Sequence, residues 1–185
     1  MARYLRLLVA VGVMAAAVAV YAGVAAGHDG GGGGGGDGHG DRHGDRHGGD
    51  RGKAVLESSL APSQTTDPTF HGVAPGGLPW VLNRGDVELK RKGRLELRVR
   101  GLVIPVAPAN GTPGPVTTIS ASLYCGADSD STAADTTQAV PISTNGNARI
   151  RDDSFTVPAT CLAPVILVHP NGDATHYIAV SGWRS

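Results

Sequence analysis

The chain has only two cysteines, Cys125 and Cys161. That excludes any Cys-x-x-Cys redox or metal motif and leaves room for a single disulfide. Aromatic residues make up 4% of the sequence, thin for a carbohydrate-binding module, so Trp80 and Trp183 read as part of a core or its rim. Charge of one sign is also missing. Lys and Arg number 16, as do Asp and Glu, and residues 53–185 hold 11 of each. Nucleic-acid binding needs a basic excess on some face, so no such partner is expected. Past residue 53 no stretch repeats its apolar residues with a period of 3.6, which argues against helices. The nucleophile elbow Gly-x-Ser-x-Gly and His-Glu-x-x-His are both absent. The glycine run at 30–36 is no phosphate loop, since it lacks the Lys-Ser/Thr ending. No catalytic residue is therefore assigned.

The N-terminus is built for export. Arg3 and Arg6 form a positive region, and an uncharged apolar run follows over residues 7–22. Val24, Ala25 and Ala26 then supply the small residues that a signal peptidase reads, so residues 1–26 are taken as a signal peptide. No cysteine stands there to carry a lipid, and no Arg-Arg pair suggests twin-arginine export. An uncleaved membrane anchor is the alternative, although Ala and Gly insert less favourably than Leu or Ile. Either way, the remainder is placed outside the cytoplasm. Two cysteines in such a compartment predict one disulfide, Cys125–Cys161.

Residues 27–52 hold 14 of the chain's 28 glycines, with His, Asp and Arg as nearly all the rest. Without apolar side chains nothing offsets the entropy of ordering, so this segment reads as a disordered linker. His39, His43 and His47 recur every four residues among Asp41 and Asp45, and imidazole with carboxylate suits Zn, Ni or Cu. That spacing aligns ligands only on a helix, which glycine opposes. A spacer with weak metal affinity follows, and no other cofactor is indicated.

Residues 53–185 form one domain of strands. Residues 94–100 alternate apolar and polar without a fault, as do residues 86–90. Matching their apolar faces pairs Leu89 with Leu95 and Val87 with Leu97 around a three-residue loop of Arg91, Lys92 and Gly93. The same matching sets Val140 and Ile142 against Ile150 and Ala148 across Thr144, Asn145 and Gly146. Further strands are expected at 54–60, 117–125, 155–157, 165–169 and 176–182. Residues 165–168 are apolar on both faces, which marks a central strand. The segment 169–173 is rich in turn formers. The fold class is therefore all-β: a single small β-sandwich, Ig-like or jelly-roll-like, of about 7–9 antiparallel strands. A small barrel is the alternative.

Three segments carry a resemblance: Gly76-Gly77-Leu78-Pro79-Trp80, Asn110-Gly111-Thr112-Pro113-Gly114-Pro115-Val116 and Cys161-Leu162-Ala163-Pro164. They resemble those of an uncharacterised family of secreted proteins from high-GC Gram-positive bacteria. The resemblance spans roughly residues 55–183 and implies secretion, with no activity attached.

Other polar residues read plainly. His71, His169 and His176 fall at loop or strand ends. Glu57, Glu88 and Glu96 are the domain's only glutamates, the last two on the solvated face of the hairpin. Asp152 and Asp153 are adjacent and would point to opposite faces. Asp128, Asp130 and Asp135 miss the EF-hand pattern, which needs Gly and Glu where Ala133 and Ala139 stand. Lys90, Arg91, Lys92, Arg94, Arg98 and Arg100 make the hairpin locally basic: a sheet face kept soluble by charge or an edge protected from pairing, with contact to an anionic envelope polymer or lipid head groups as the alternative. The expected function is that of an exported, non-catalytic β-sandwich protein, binding or structural, of the cell envelope or extracellular space. The alternatives are a metal-handling protein using the histidine linker and a hydrolase with a loop-built site.

Overall fold

A computed structural model describes residues 52–184. The expected signal peptide, the linker and its His39, His43 and His47 lie outside the described residues. Eleven strands follow one another: β1 (Ala54–Pro62), β2 (Ala74–Pro75), β3 (Arg84–Lys90), β4 (Arg94–Arg100), β5 (Thr118–Tyr124), β6 (Asp135–Thr136), β7 (Val140–Pro141), β8 (Ala148–Asp152), β9 (Val165–Pro170), β10 (His176–Tyr177) and β11 (Ala179–Ser181). No helix occurs among the described residues. Four of the eleven strands have two residues each, leaving seven longer ones.

The main sheet runs β6-β5-β9-β11-β1-β3-β4-β8, with β7 beside β6 along the same edge of β5. Its pairings are all antiparallel; a separate two-stranded sheet joins β10 to β2 in parallel. The long strand β1 explains how one sheet makes two layers. Its residues 54–59 pair with β3, and its residues 60–62 pair with β11. The chain thus curls at Leu60 and closes a small β-sandwich-like fold. Val87, Leu89, Leu95, Leu97, Val99 and Ile150 from one half meet Ile119, Ala121, Leu123, Ile166, Val168 and Ala179 from the other in one buried cluster.

The first hairpin has the register its alternation dictates: Leu89 opposite Leu95 and Val87 opposite Leu97. Gly93 closes its loop at φ 82°, the left-handed region, and a side chain there would collide with the Phe155 carbonyl. The apolar strand β9 lies inside the sheet between β5 and β11, as its two-sided apolarity requires.

Three strand expectations are corrected. The second hairpin has its three-residue loop, with the Ser143 amide donating to Asn147 O at 2.9 Å. Its arms do not pair with each other: β7 joins β5 and β8 joins β4. Pro141 has no amide to donate, and the Ile142 amide goes to Thr117 O at 3.0 Å, so the turn is a corner between the two layers. Residues 155–157 are not a strand; Phe155 is buried, but the Thr156 amide is taken by the Asp135 carboxylate instead of a ladder. The last expected strand is split into β10 and β11, because Ile178 donates back to Val168 O.

Cys125 and Cys161 form a disulfide with Cα atoms 5.0 Å apart. It joins the end of β5 to the approach of β9, beside a bond from the Gly126 amide to Leu162 O at 2.7 Å. The bridge closes off the segment that contains β6, β7 and β8. A disulfide-bonded pair is consistent with an extracytoplasmic location. Among the described residues, no helix is long and apolar enough to cross a membrane.

Candidate functional site

Alternation leaves the outward faces of β1, β3, β4 and β8 almost wholly charged. The registers stack these residues into rungs that cross the four strands. One rung is Glu57, Glu88, Glu96 and Arg151; the next is Ser59, Asp86, Arg98 and Arg149; the last sets Arg84 against Arg100. Towards the hairpin loop, Lys90 faces Arg94. The face therefore has three zones: a basic loop end, a carboxylate band and an arginine end.

Few of these charges are matched by their direct cross-strand neighbour. Like charges stand opposite one another at Glu57–Glu88, Glu88–Glu96, Arg98–Arg149 and Arg84–Arg100. Compensation runs along strands or to diagonal neighbours. Arg84 Nε donates to Asp86 at 3.3 Å, Lys90 reaches Glu88 at 3.5 Å, and Arg149 and Arg98 share the one Glu96 carboxylate at 3.2 and 3.6 Å. Arg94 and Arg151 clasp Asp153 at 2.7 and 3.2 Å. The hydrogen bond from Arg94, with Arg151 adding to it, holds the Asp153 carboxyl below the usual carboxylate range. Arg100 has no carboxylate partner among the described residues. A groove runs along β1, β3 and β4, lined by Glu57, Ser59, Arg84, Asp86, Glu96 and Arg98.

The basic hairpin residues read from the sequence all belong to this part of the fold, but they divide between the loop end and the arginine end. Arg84 and Arg149 complete the arginine end, and sequence reasoning missed them. So it missed the convergence of all the domain's glutamates on one rung. The signal for both is the pairing of β1 with β3 and of β8 with β4, which links residues far apart in the chain.

The three domain histidines do not converge. His71 is buried with φ 51°, stacks on Tyr124 at 5.0 Å, and bonds through Nδ1 to Asp130 O at 2.8 Å. It pins the acidic loop, with Asp128 at 3.9 Å from its Nε2. His169 is buried and bonds through Nδ1 to the His176 carbonyl at 2.8 Å, while the exposed His176 ring bonds Asp173 at 2.8 Å. Among the described residues, no group of three or more His, Cys, Asp or Glu side chains is placed to hold a metal ion.

These two sites give the domain a readable pH response. Burial lowers the His169 pKa, and its Nε2 has no hydrogen-bond partner, so protonation would bury an unpaired donor. Its neutral form therefore stabilises the fold above the free imidazole value near 6.5, and that contribution is lost as pH falls through the lowered value. The Thr175 hydroxyl and amide, then His176, bring Asp173 down to about 2. Its contribution is present above the unfolded value of 3.8 and lost as pH falls towards 2. Thermal melts across pH should show a plateau above about pH 7 and two successive declines. His169→Phe should remove the upper decline, and Asp173→Asn should reduce the lower one, which Asp135 and Asp153 share. A melting temperature flat from pH 7 to 5 in the wild type would refute the histidine assignment.

The tryptophans separate. Trp80 is core, 3% exposed, whereas Trp183 is 86% exposed, against the expectation that both lie in the core or its rim. The reason is local anchoring. Gly182 exchanges bonds with Ser59, its amide donating to Ser59 O at 2.9 Å and its carbonyl accepting from Ser59 Oγ at 2.8 Å. Arg184 Nη2 donates to both Asp67 carboxylate oxygens, at 2.7 and 2.6 Å. The chain is thus anchored on both sides of Trp183, by the Gly182 backbone and the Arg184 side chain, with the indole left in solvent.

Comparison with family models, with curated proteins and with solved structures finds no match to this chain.

Proposed function

We propose that the protein is an exported, non-catalytic binding domain that holds an anionic polymer of the cell envelope on the charged outer face of β1, β3, β4 and β8. The observation that carries this is the arginine end, where Arg84 stands opposite Arg100 and Arg98 opposite Arg149. Like charges directly across two strands cost stability, on the order of 0.2–1 kcal/mol a pair. Stability alone does not select such an arrangement; an anion lying across the strands relieves it. The carboxylates support a holding role too. Glu88, Glu96 and Asp153 are each engaged by Lys or Arg, which orders the charged face. The arginines and apolar run of the N-terminus, the disulfide, and the resemblance to secreted proteins support export.

The full chain should co-sediment with isolated cell walls of the producing organism, and binding should fall steeply with added salt. Replacing Arg84, Arg98 and Arg100 together by Gln should abolish most of it while the melting temperature changes little. Equal binding to walls stripped of their anionic polymer would overturn the proposal.

A further inference from the structure

The arginine end is more specific than a basic patch. Arg84, Asp86, Arg98 and Arg100 line a cavity of about 170 Å³, which gathers three arginines around one aspartate. Asp86 accepts from the Arg84 Nε at 3.3 Å, which leaves the terminal nitrogens of Arg84 for another acceptor. Arg98 reaches Glu96 only at 3.6 Å and shares it with Arg149. Arg100 has no carboxylate partner among the described residues. Positive charge is thus held in one place and incompletely answered by the protein.

Resting on the polymer-binding reading, we infer that this cavity seats a phosphoryl group of the polymer, a phosphodiester or phosphate. Each guanidinium is a planar fork of donors suited to two oxygens of one anion. A planar carboxylate has oxygens in one plane and satisfies one or two forks. Three forks reaching in from two strands call for an acceptor with oxygens in several directions, which a tetrahedral phosphoryl group has. The volume suits it: water takes about 30 Å³ per molecule in the liquid, so the cavity holds a phosphoryl group with some of its hydration. The carboxylate band bounds the seat. Glu57, Glu88 and Glu96 stand between it and the loop end, so a polyanion is steered across the strands towards Arg149 and away from Lys90 and Arg94.

The test compares two probes of matched length and charge, inorganic polyphosphate and poly-glutamate, binding to the full chain by calorimetry. Polyphosphate should bind at least about tenfold more tightly, the worth of one well-made charged hydrogen bond. Arg100→Lys keeps the charge and removes the fork; it should erase most of that preference while leaving poly-glutamate affinity within about twofold. Arg91→Gln, in the hairpin loop, should weaken both probes alike, by no more than a few-fold. Equal affinity for the two probes, with Arg100→Lys silent on both, would overturn the phosphoryl seat and leave the polymer-binding reading standing. Binding of neither probe, with no salt-sensitive retention on cell walls, would overturn both.

Discussion

Val99→Asp is expected to cost the domain on the order of 4 kcal/mol, a large fraction of the stability of an ordinary domain. Val99 is 1% exposed and belongs to the cluster shared by both layers. It sits between Gly85 on β3 and Ala148 on β8, two small neighbours with no cation to pair with a new carboxylate. The Asp side chain must either enter the core charged, or take up a proton and still lack partners; both are costly. Arg98 precedes it in the chain but faces outward, half exposed, with only a shared ion pair at 3.6 Å. Arg98→Gln should therefore change stability by less than about 1 kcal/mol. Urea unfolding of the two variants checks the pair. Similar shifts in midpoint, or a larger one for Arg98→Gln, would mean that the hairpin's faces are assigned the wrong way round.

Loss of the disulfide is the other large effect. Cys125 and Cys161 are 36 residues apart in sequence, and closing a loop of that length restricts the unfolded chain by about 4 kcal/mol on the chain-entropy account. What it closes matters as much as the length. The enclosed segment carries β8, which reaches across to β4, and β6 and β7, which edge β5. These are short strands, so removing the bridge should free both sheet edges before the middle strands let go. The double variant Cys125→Ala/Cys161→Ala should lose about 4 kcal/mol in urea, and amides of residues 135–152 should gain hydrogen exchange first. Mass spectrometry of the unreduced native protein should find the two cysteine peptides linked. Two thiols open to alkylation in the native protein would defeat this, and would also weaken the extracytoplasmic assignment.

The first hairpin was legible because everything that determines it lies within residues 86–100. Alternation sets which side chains face inward, face matching sets the register, and Gly93 sets the turn. Residues 140–150 offered the same kind of evidence and misled. The loop is as expected, yet Pro141 and the bond from Ile142 to Thr117 carry the two arms into different layers. Local pattern reports which face of a strand is buried; it does not report which strand lies alongside. The candidate site depends on that second kind of information. Six of its basic side chains could be named from the hairpin, but Arg84 opposite Arg100, and Arg149 beside Arg98, are consequences of pairing. The glutamate rung likewise exists only because β1 docks on β3. Trp183 was misplaced for a different reason. Burial is the ordinary fate of an indole, and the bonds that hold it outward come from Ser59 and Asp67, more than a hundred residues earlier.

That separation of the two tryptophans makes the molecule a self-labelled optical reporter. An indole shielded by the core emits at shorter wavelength and is out of reach of ionic quenchers; one bathed in solvent emits to the red and is quenched on contact. With only Trp80 and Trp183 in the sequence, native emission divides into an iodide-resistant blue component and an iodide-sensitive red one. Unfolding collapses the first into the second. Because Gly182 is bonded to Ser59, whose side chain lines the charged groove, the red component also stands near the place where a polymer would lie. Folding and occupancy can thus be followed in the same cuvette, at two colours, with no dye attached.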